Sequence, residues 1–529
     1  MRLAVLVMSL ALASVAAAHS TPGSACIAAS GDEAARCLDA VLAADSATPA
    51  FTASIVLDAC SDDTTYAFGA LGAGDLVTVL TNACGDFGAE LRTLTTPTGG
   101  DAACRDAVAG ALDDLRARAI QLLGPQCSVR TAEGRRCQRK KQDARVRAFG
   151  RATVRRIGKA CKSAYDGLGL PPADDLVDVV VDRLRHFAML AYPPDDLGPS
   201  AHPGTFPVGV RTLELADPSR MNAQGTGPRP ITVELWYPST ADAIAGHERY
   251  VVNLFGLDVA RTPTYRDVAR AAGPFPVVLF SHGNGGIRFQ SIFLAAHLAS
   301  HGWVVASPDH HGNTFLDLGS GIVDAQSAAN RPLDMKFLLD ELLARNAAGS
   351  GDFLEGALDA SRIGMSGHSF GGFTTLALAA GANADPRLGA FMPLAPASIF
   401  PAEFFPTIAA PILFQGGSLD TTTPFDSQQQ APFDGLPEGA LVVGLAKLIG
   451  AGHFTFSDIC EVPRNLVGFI GGFDEACEPR HLPWRRAHEI VNYLAENFFD
   501  ATLSGDKSAL KRLKPRTVAS IPDVDYQRK

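Results

Sequence analysis

Apolar residues along the first third of the chain return every three or four positions. The stretches "DEAARCLDAVLAA" and "CRDAVAGALDDLRARAIQLL" have this spacing, which lines one face of an α-helix. It predicts a helical domain over residues 19–165. One more apolar helix, "LVDVVVDRLRHFAML", stands between "LGLPPADD" and "AYPPDDLGPSAHPGTFP". Proline and glycine punctuate a chain, so residues 166–200 are expected to be a linker carrying that helix. From about residue 205 the pattern changes. "GVRTLEL" and "PITVELWYP" alternate as strands and open a sheet in antiparallel fashion. Strands and helices then take turns: "FPVVLFSH" and "FQSIFLAAHLASHG", "WVVASPDH" and "RPLDMKFLLDELLARNA", "RIGMSG" and "FGGFTTLALAAG". Later strands are "LGAFMPLAPA", "APILFQGG" and "ALVVGLAKL", with "WRRAHEIVNYLAENFF" as a closing helix. Short, nearly continuous apolar strands need cover on both faces, which predicts an α/β fold with a mostly parallel sheet over residues 201–503. Residues 504–529 read as a basic tail.

Composition narrows the picture. At 529 residues, 47% hydrophobic and 19% charged, the chain is globular and too long for one ordinary core. A net charge of −10 argues against a nucleic-acid partner. The basic run "RRCQRKKQDARVRAFGRATVRR" is expected to be the solvated face of an amphipathic helix. Residues 1–18, "MRLAVLVMSLALASVAAA", have an early Arg, a short apolar stretch and a small-residue end, so they are expected to be a signal peptide. Secretion or periplasmic export follows, with no stable membrane insertion. Of ten cysteines, Cys26, Cys37, Cys60, Cys84, Cys104, Cys127, Cys137 and Cys161 lie early, and Cys460 and Cys477 late. That split fits two separately bridged units in an oxidising compartment. Eight cysteines leave the early pairing open.

Chemistry centres on "RIGMSGHSFGGFTTLALAAG". Gly367, Gly371 and Gly372 allow a sharp strand-to-helix reversal that pushes Ser369 outward, and the following helix aims free amides at the same spot. A serine hydroxyl is a poor nucleophile until a base accepts its proton and a third group orients that base. In the expected chain order of Ser, acid, His, Asp420 follows the strand "PILFQGG" and His453 sits in the loop "LIGAGHFTFSD". Asp309 and Asp458 are weaker candidates for the acid, and His481 and His488 for the base. Backbone amides of Phe370 and of Asn284, in "SHGNGG", are expected to hold an oxyanion. Helix packing is expected for His297 and His301, and an ordinary turn for His310 and His311. His368 is expected to shape the elbow. Neither a metal nor a cofactor is expected.

Residues 203–503 resemble the α/β-hydrolases of the platelet-activating-factor acetylhydrolase and predicted dienelactone hydrolase group. The resemblance rests on "FPVGVRTLELADPSR", "VELWYP", "FPVVLFSHGNGG", "LASHGWVVASPDHHGNT", "RPLDMKFLLDEL", "RIGMSGHSFGG" and "GHFTFSD". It implies an α/β-hydrolase fold and a serine esterase using Ser369, Asp420 and His453. Serine stands where dienelactone hydrolases carry cysteine, which favours ordinary ester hydrolysis of a small-molecule or lipid substrate.

Only a short connection separates the two strands after the elbow helix, leaving no room for a cap domain there. Phe400, Phe404, Phe405 and Phe454 are expected to rim an open site, and a Cys460–Cys477 bridge to steady the His453 loop. A lipase-like or polyester-cleaving hydrolase is the alternative enzyme. A binding or anchoring protein led by the cysteine-rich domain is the alternative of another class.

Overall fold

The computed structural model describes residues 34, 36–38, 73–123, 139–191, 197–254, 257–461 and 473–529. The expected signal segment and Cys26, Cys60, Cys127 and Cys137 lie outside the described residues. The chain divides into two compact units, Met1–Asp196 and Leu197–Lys529.

The first unit packs helices α1 (Ala73–Thr95), α2 (Ala102–Leu123), α3 (Arg139–Cys161) and α4 (Ala173–Ala191) around Leu91, Leu115, Val146, Ile157 and Leu184. Disulfides join Cys37 to Cys84 and Cys104 to Cys161. On α3, Arg145, Arg147, Arg151 and Arg155 face solvent while Val146 and Ile157 are buried, as an amphipathic helix requires. The segment expected as a linker differs. Helix α4 buries Val177, Val180, Val181 and Phe187 in this core, because its apolar positions share one face that must leave water. Arg185 grips both carboxylate oxygens of Asp143 on α3, at 3.0 and 3.2 Å.

The second unit is a ten-stranded sheet. Its strands are β1 (Val208–Met221), β2 (Pro228–Pro238), β5 (Thr264–Arg266), β6 (Phe275–Ser281), β7 (Val304–Pro308), β8 (Leu358–His368), β9 (Ala390–Leu394), β10 (Ile412–Gly417), β11 (Val443–Leu448) and β12 (Val524–Arg528). A separate hairpin pairs β3 (Val251–Leu254) with β4 (Leu257–Arg261). The sheet order is β12-β11-β10-β9-β8-β6-β7-β2-β1-β5. The block from β11 to β7 is parallel, and β2 joins it antiparallel. With its crossing at β6 and β7, this is the α/β-hydrolase arrangement.

Helices α5 (Ile292–Ser300), α6 (Ser327–Asn346), α7 (Phe370–Ala379) and α8 (Trp484–Leu503) cover the sheet. Strand alternation assigns them to faces. Ile363 and Met365 join Met335 and Leu338 of α6 and Leu376 of α7 in one core, while Gly364 between them lies against Phe499 of α8. Residues 504–529, expected as a tail, are folded. β12 pairs antiparallel with β11 and buries Val524 and Tyr526, so β11 is not left as an open edge.

Candidate active site

Ser369 sits between β8 and α7 with φ 57° and ψ −116°, a conformation that non-glycine residues hold only when the surroundings enforce it. Its amide donates to the Leu394 carbonyl at 2.9 Å, and its own carbonyl accepts from the amides of Phe373 and Ala397. The flanking glycines are needed for space. A Cβ at Gly371 would overlap the Ser281 carbonyl, and one at Gly367 would overlap the Gly371 carbonyl.

The parallel strands deliver the other groups to the same end of the sheet. His453 follows β11 and Asp420 follows β10. The Ser369 hydroxyl lies 2.9 Å from His453 Nε2, and His453 Nδ1 lies 2.9 Å from Asp420 Oδ2. His453 and Asp420 are buried, while Ser369 is partly open. Thr423 fixes the carboxylate: its amide donates to Asp420 Oδ1 at 2.7 Å and its hydroxyl to Oδ2 at 2.9 Å.

A hydrogen-bond chain links the three loops. The Gly283 amide donates to Gln290 Oε1 at 2.8 Å. Gln290 Nε2 donates to His368 Nδ1 at 2.8 Å, and His368 Nε2 donates to the His453 carbonyl at 2.9 Å. Burial, then the neighbouring His453, holds His368 well below the usual imidazole value, so the ring stays neutral with one donor and one acceptor.

The Phe370 amide opens α7, where first-turn N–H groups have no helical acceptor. Gly283 lies against Ser369, since a Cβ there would be 3.3 Å from that of the serine. Its carbonyl accepts from Arg331 at 2.9 Å and from the Gly286 amide at 3.1 Å. In a planar trans peptide, the Asn284 N–H therefore points away from Arg331. The Asn284 side chain accepts from Asn313 at 2.8 Å. Arg331 is fully buried and also donates to Ser281 Oγ and the His282 carbonyl, at 3.0 and 2.7 Å. Burial pulls its guanidinium down to about 9, which leaves it charged at neutral pH. Beneath it, Asp334 accepts from His310 Nδ1 at 2.9 Å and from Arg229 at 2.7 and 2.9 Å.

The rival acids and bases have other partners. Asp309 pairs with Arg288 at 2.5 Å. Asp458 accepts from the Phe293 amide at the start of α5, at 3.2 Å. His488 lies 3.1 and 3.2 Å from the carbonyls of Thr455 and Ser457, beneath the His453 loop. His481 packs beside Gly452.

The phenylalanines divide. Phe370, Phe373, Phe400 and Phe404 form a stacked run, with centroids 5.3, 4.9 and 4.1 Å apart, and all four are partly exposed. Phe454 is partly exposed and meets His453 edge-on at 5.1 Å. Phe405 does not belong to a rim. It is buried in the core with Ile408, Phe433 and Leu436, since consecutive residues of this turn point to different sides. Cys460 and Cys477 are bridged and pack with Phe454, Ile459 and Ala476.

Gln290, Thr423, Arg331 and Phe373 are site residues that sequence reasoning passed over. A signal existed for Arg331: it is in helical phase with Met335, Leu338 and Leu342, a charge on an otherwise apolar face. Gln290 and Thr423 carry no comparable mark.

Parts of the second unit are similar to known proteins. Residues 224–461 match the PET hydrolase-like family model. The chain is 29% identical over 191 residues to a bis(hydroxyethyl) terephthalate hydrolase of Streptomyces coelicolor, covering 36% of this chain and 54% of that protein. It is 29% identical over 262 residues to the cutinase cut1 of Thermobifida fusca, covering 49% and 72%. The chain thus spans about half the length of the first relative. A solved ferulic acid esterase from Streptomyces cinnamoneus aligns at 25% identity with a TM-score of 0.46, over 61% of this chain and 96% of that one. The family match and the curated relatives support the α/β-hydrolase and serine-esterase part of the sequence resemblance; its acetylhydrolase part is not confirmed by them.

Proposed function

We propose that the second unit is a serine hydrolase of carboxylic esters, suited to polyester chains and their short ester fragments. The observation carrying this reading is the Ser369–His453–Asp420 chain, with 2.9 Å at each link. His453 Nε2 takes the hydroxyl proton as Ser369 Oγ attacks the ester carbonyl, and Asp420 stabilises the resulting imidazolium. The amides of Phe370 and Asn284 hold the oxyanion. The imidazolium then protonates the departing alkoxide, leaving an acyl-serine. Water, deprotonated by His453, attacks that acyl group and releases the acid.

Two observations favour polymer-like substrates over small or lipid ones. The connection between β9 and β10 folds only as a 3-10 turn at Ala402–Thr407, so a long chain has room to lie across the site. The Phe370, Phe373, Phe400 and Phe404 run offers exposed aromatic surface beginning beside the nucleophile. The names of the relatives point the same way. Export, with residues 1–18 as its signal, is part of this proposal and fits the three disulfides among the described residues. Among the described residues no helix is long and apolar enough to cross a membrane.

The test compares p-nitrophenyl esters of graded chain length, bis(hydroxyethyl) terephthalate and an aliphatic polyester film, using the full chain and Ser369→Ala. Release of acid from the terephthalate ester and the film, lost in the variant, is expected. Turnover confined to acetyl esters would overturn the polyester reading, and turnover retained by Ser369→Ala would overturn the mechanism.

A further inference from the structure

Helix α5 and the residue that ends it carry His297 and His301, and α8 carries Glu496. His297 Nε2 lies 3.6 Å from Glu496 Oε2, and His301 Nδ1 lies 3.2 Å from Oε1. All three donor atoms fall within 4.8 Å of one another. His297 is 2% and Glu496 6% exposed.

The outer edge of each ring is committed. His301 Nε2 donates to the His202 carbonyl at 2.8 Å. His297 bonds to the Ser200 backbone, while its Nε2 and Glu496 Oε2 have no hydrogen-bond partner. Tying the far N–H of each imidazole to a carbonyl fixes the tautomer whose free nitrogen points inward. Two nitrogen lone pairs therefore face one buried carboxylate. These groups repel unless a positive centre sits between them.

Arg512 is the nearby cation, but its hydrogen bond goes to Asn497 and its ion pair to Asp506.

We propose that His297 Nε2, His301 Nδ1 and the Glu496 carboxylate form a binding site for a zinc-class divalent cation, with a water completing the sphere on the partly exposed His301 side. Zinc–nitrogen and zinc–oxygen bonds near 2.1 Å place tetrahedral ligand atoms about 3.4 Å apart, close to the 3.6 and 3.2 Å between the ring nitrogens and the carboxylate oxygens. Two imidazoles and one carboxylate suit zinc over calcium or magnesium, which take oxygen ligands. The ion would cross-link α5, which directly follows the Gly283–Gln290 loop, to α8. Its role is structural, and it takes no part in ester cleavage.

The experiment uses the full chain, stripped with chelator and dialysed against Zn²⁺ or Co²⁺. One equivalent of zinc per chain, a raised thermal midpoint with Zn²⁺, and the visible absorption of tetrahedral Co²⁺ are expected. Glu496→Gln and the milder, partly exposed His301→Asn should each weaken metal binding by at least about tenfold while circular dichroism shows a folded chain. No stoichiometric metal in the wild-type chain, or metal binding unchanged in both folded variants, overturns the proposal and leaves a proton as the positive centre. None of these readouts depends on ester turnover.

Discussion

His368, the residue before Ser369, donates to the main-chain carbonyl of His453, the proposed base, at 2.9 Å. The base is thereby held from two sides: by Asp420 on its ring and by the elbow on its backbone. Through Gln290 the same chain reaches the Gly283 amide, so one set of bonds spaces nucleophile, base and oxyanion loop.

Replacing His368 by Phe keeps the ring and removes both bonds. We expect kcat to fall about tenfold with KM little changed, because misplacement by a fraction of an ångström acts on the transition state. Gln290→Leu should give a similar loss. The double variant should cost much less than the product of the two, as residues in one network are non-additive. Steady-state kinetics on a soluble ester decides this, and full additivity would dissolve the proposed chain.

Arg331 holds the carbonyls of His282 and Gly283. Arg331→Met should cost about 3 kcal/mol in stability by leaving buried acceptors unpaired. Because the Asn284 N–H belongs to the peptide that Arg331 grips, kcat should drop by about 10- to 100-fold. Arg331→Lys should not restore it, since an ammonium cannot reproduce the guanidinium fork. Urea titration and kcat measured on the folded fraction separate the two effects.

The Cys460–Cys477 bridge closes a sequence separation of 17 residues, worth about 3 kcal/mol in the chain-entropy account. Replacing both cysteines by Ser should lower the thermal midpoint and loosen Phe454, which shares the Ile459 and Ala476 cluster with the bridge and meets His453 edge-on. Turnover should then decay with temperature well before the wild type. A variant with wild-type thermal inactivation would show that the bridge does not steady that loop.

Several histidines away from α5 resist protonation. Burial, with Arg331 nearby, depresses His282 and brings His310 to about 4, partly offset by Asp334. His368 faces His453, and burial holds His488, near Arg485, at about 3. The unfolded chain binds these protons near pH 6.5 and the folded one does not. Their contribution is therefore complete above about pH 6.5 and is lost as pH falls toward 4. Asp500, which burial pushes up to about 7, works the other way as pH rises from about 4, but it is one group against several. Stability from urea titrations should rise between pH 4 and 6.5. A flat profile would mean that the buried rings titrate freely in the folded chain.

Much of this arrangement was legible in the residues. The change from helical to strand periodicity near residue 205 set the second unit, and the glycines around Ser369 marked the elbow. Asp420 and His453 could be chosen because parallel strands collect the residues that follow them. The rest was hidden for identifiable reasons. Helix α4 looked like a linker because Pro-rich stretches flank it, yet its single apolar face demanded a partner. β12 was masked by the surrounding Lys and Arg, since only two of its residues are buried. Phe405 differs from Phe404 solely in the direction its turn gives it. His297 and His301 showed a ligand spacing, but Glu496 lies almost 200 positions away and is brought to them only by the packing of α5 on α8.

The uneven placement of the disulfides bears on how this protein can be produced. Among the described residues, two bridges tie the helical unit across sequence separations of 47 and 57 residues, worth about 4 kcal/mol each by chain entropy, whereas the second unit has a single short one. A bacterial cytoplasm, which keeps thiols reduced, would deprive the first unit of far more than the second. Preparations from such a host should contain a folded second unit attached to a poorly consolidated first one, so purification judged by the proposed ester turnover alone would pass material that only an oxidising host makes whole.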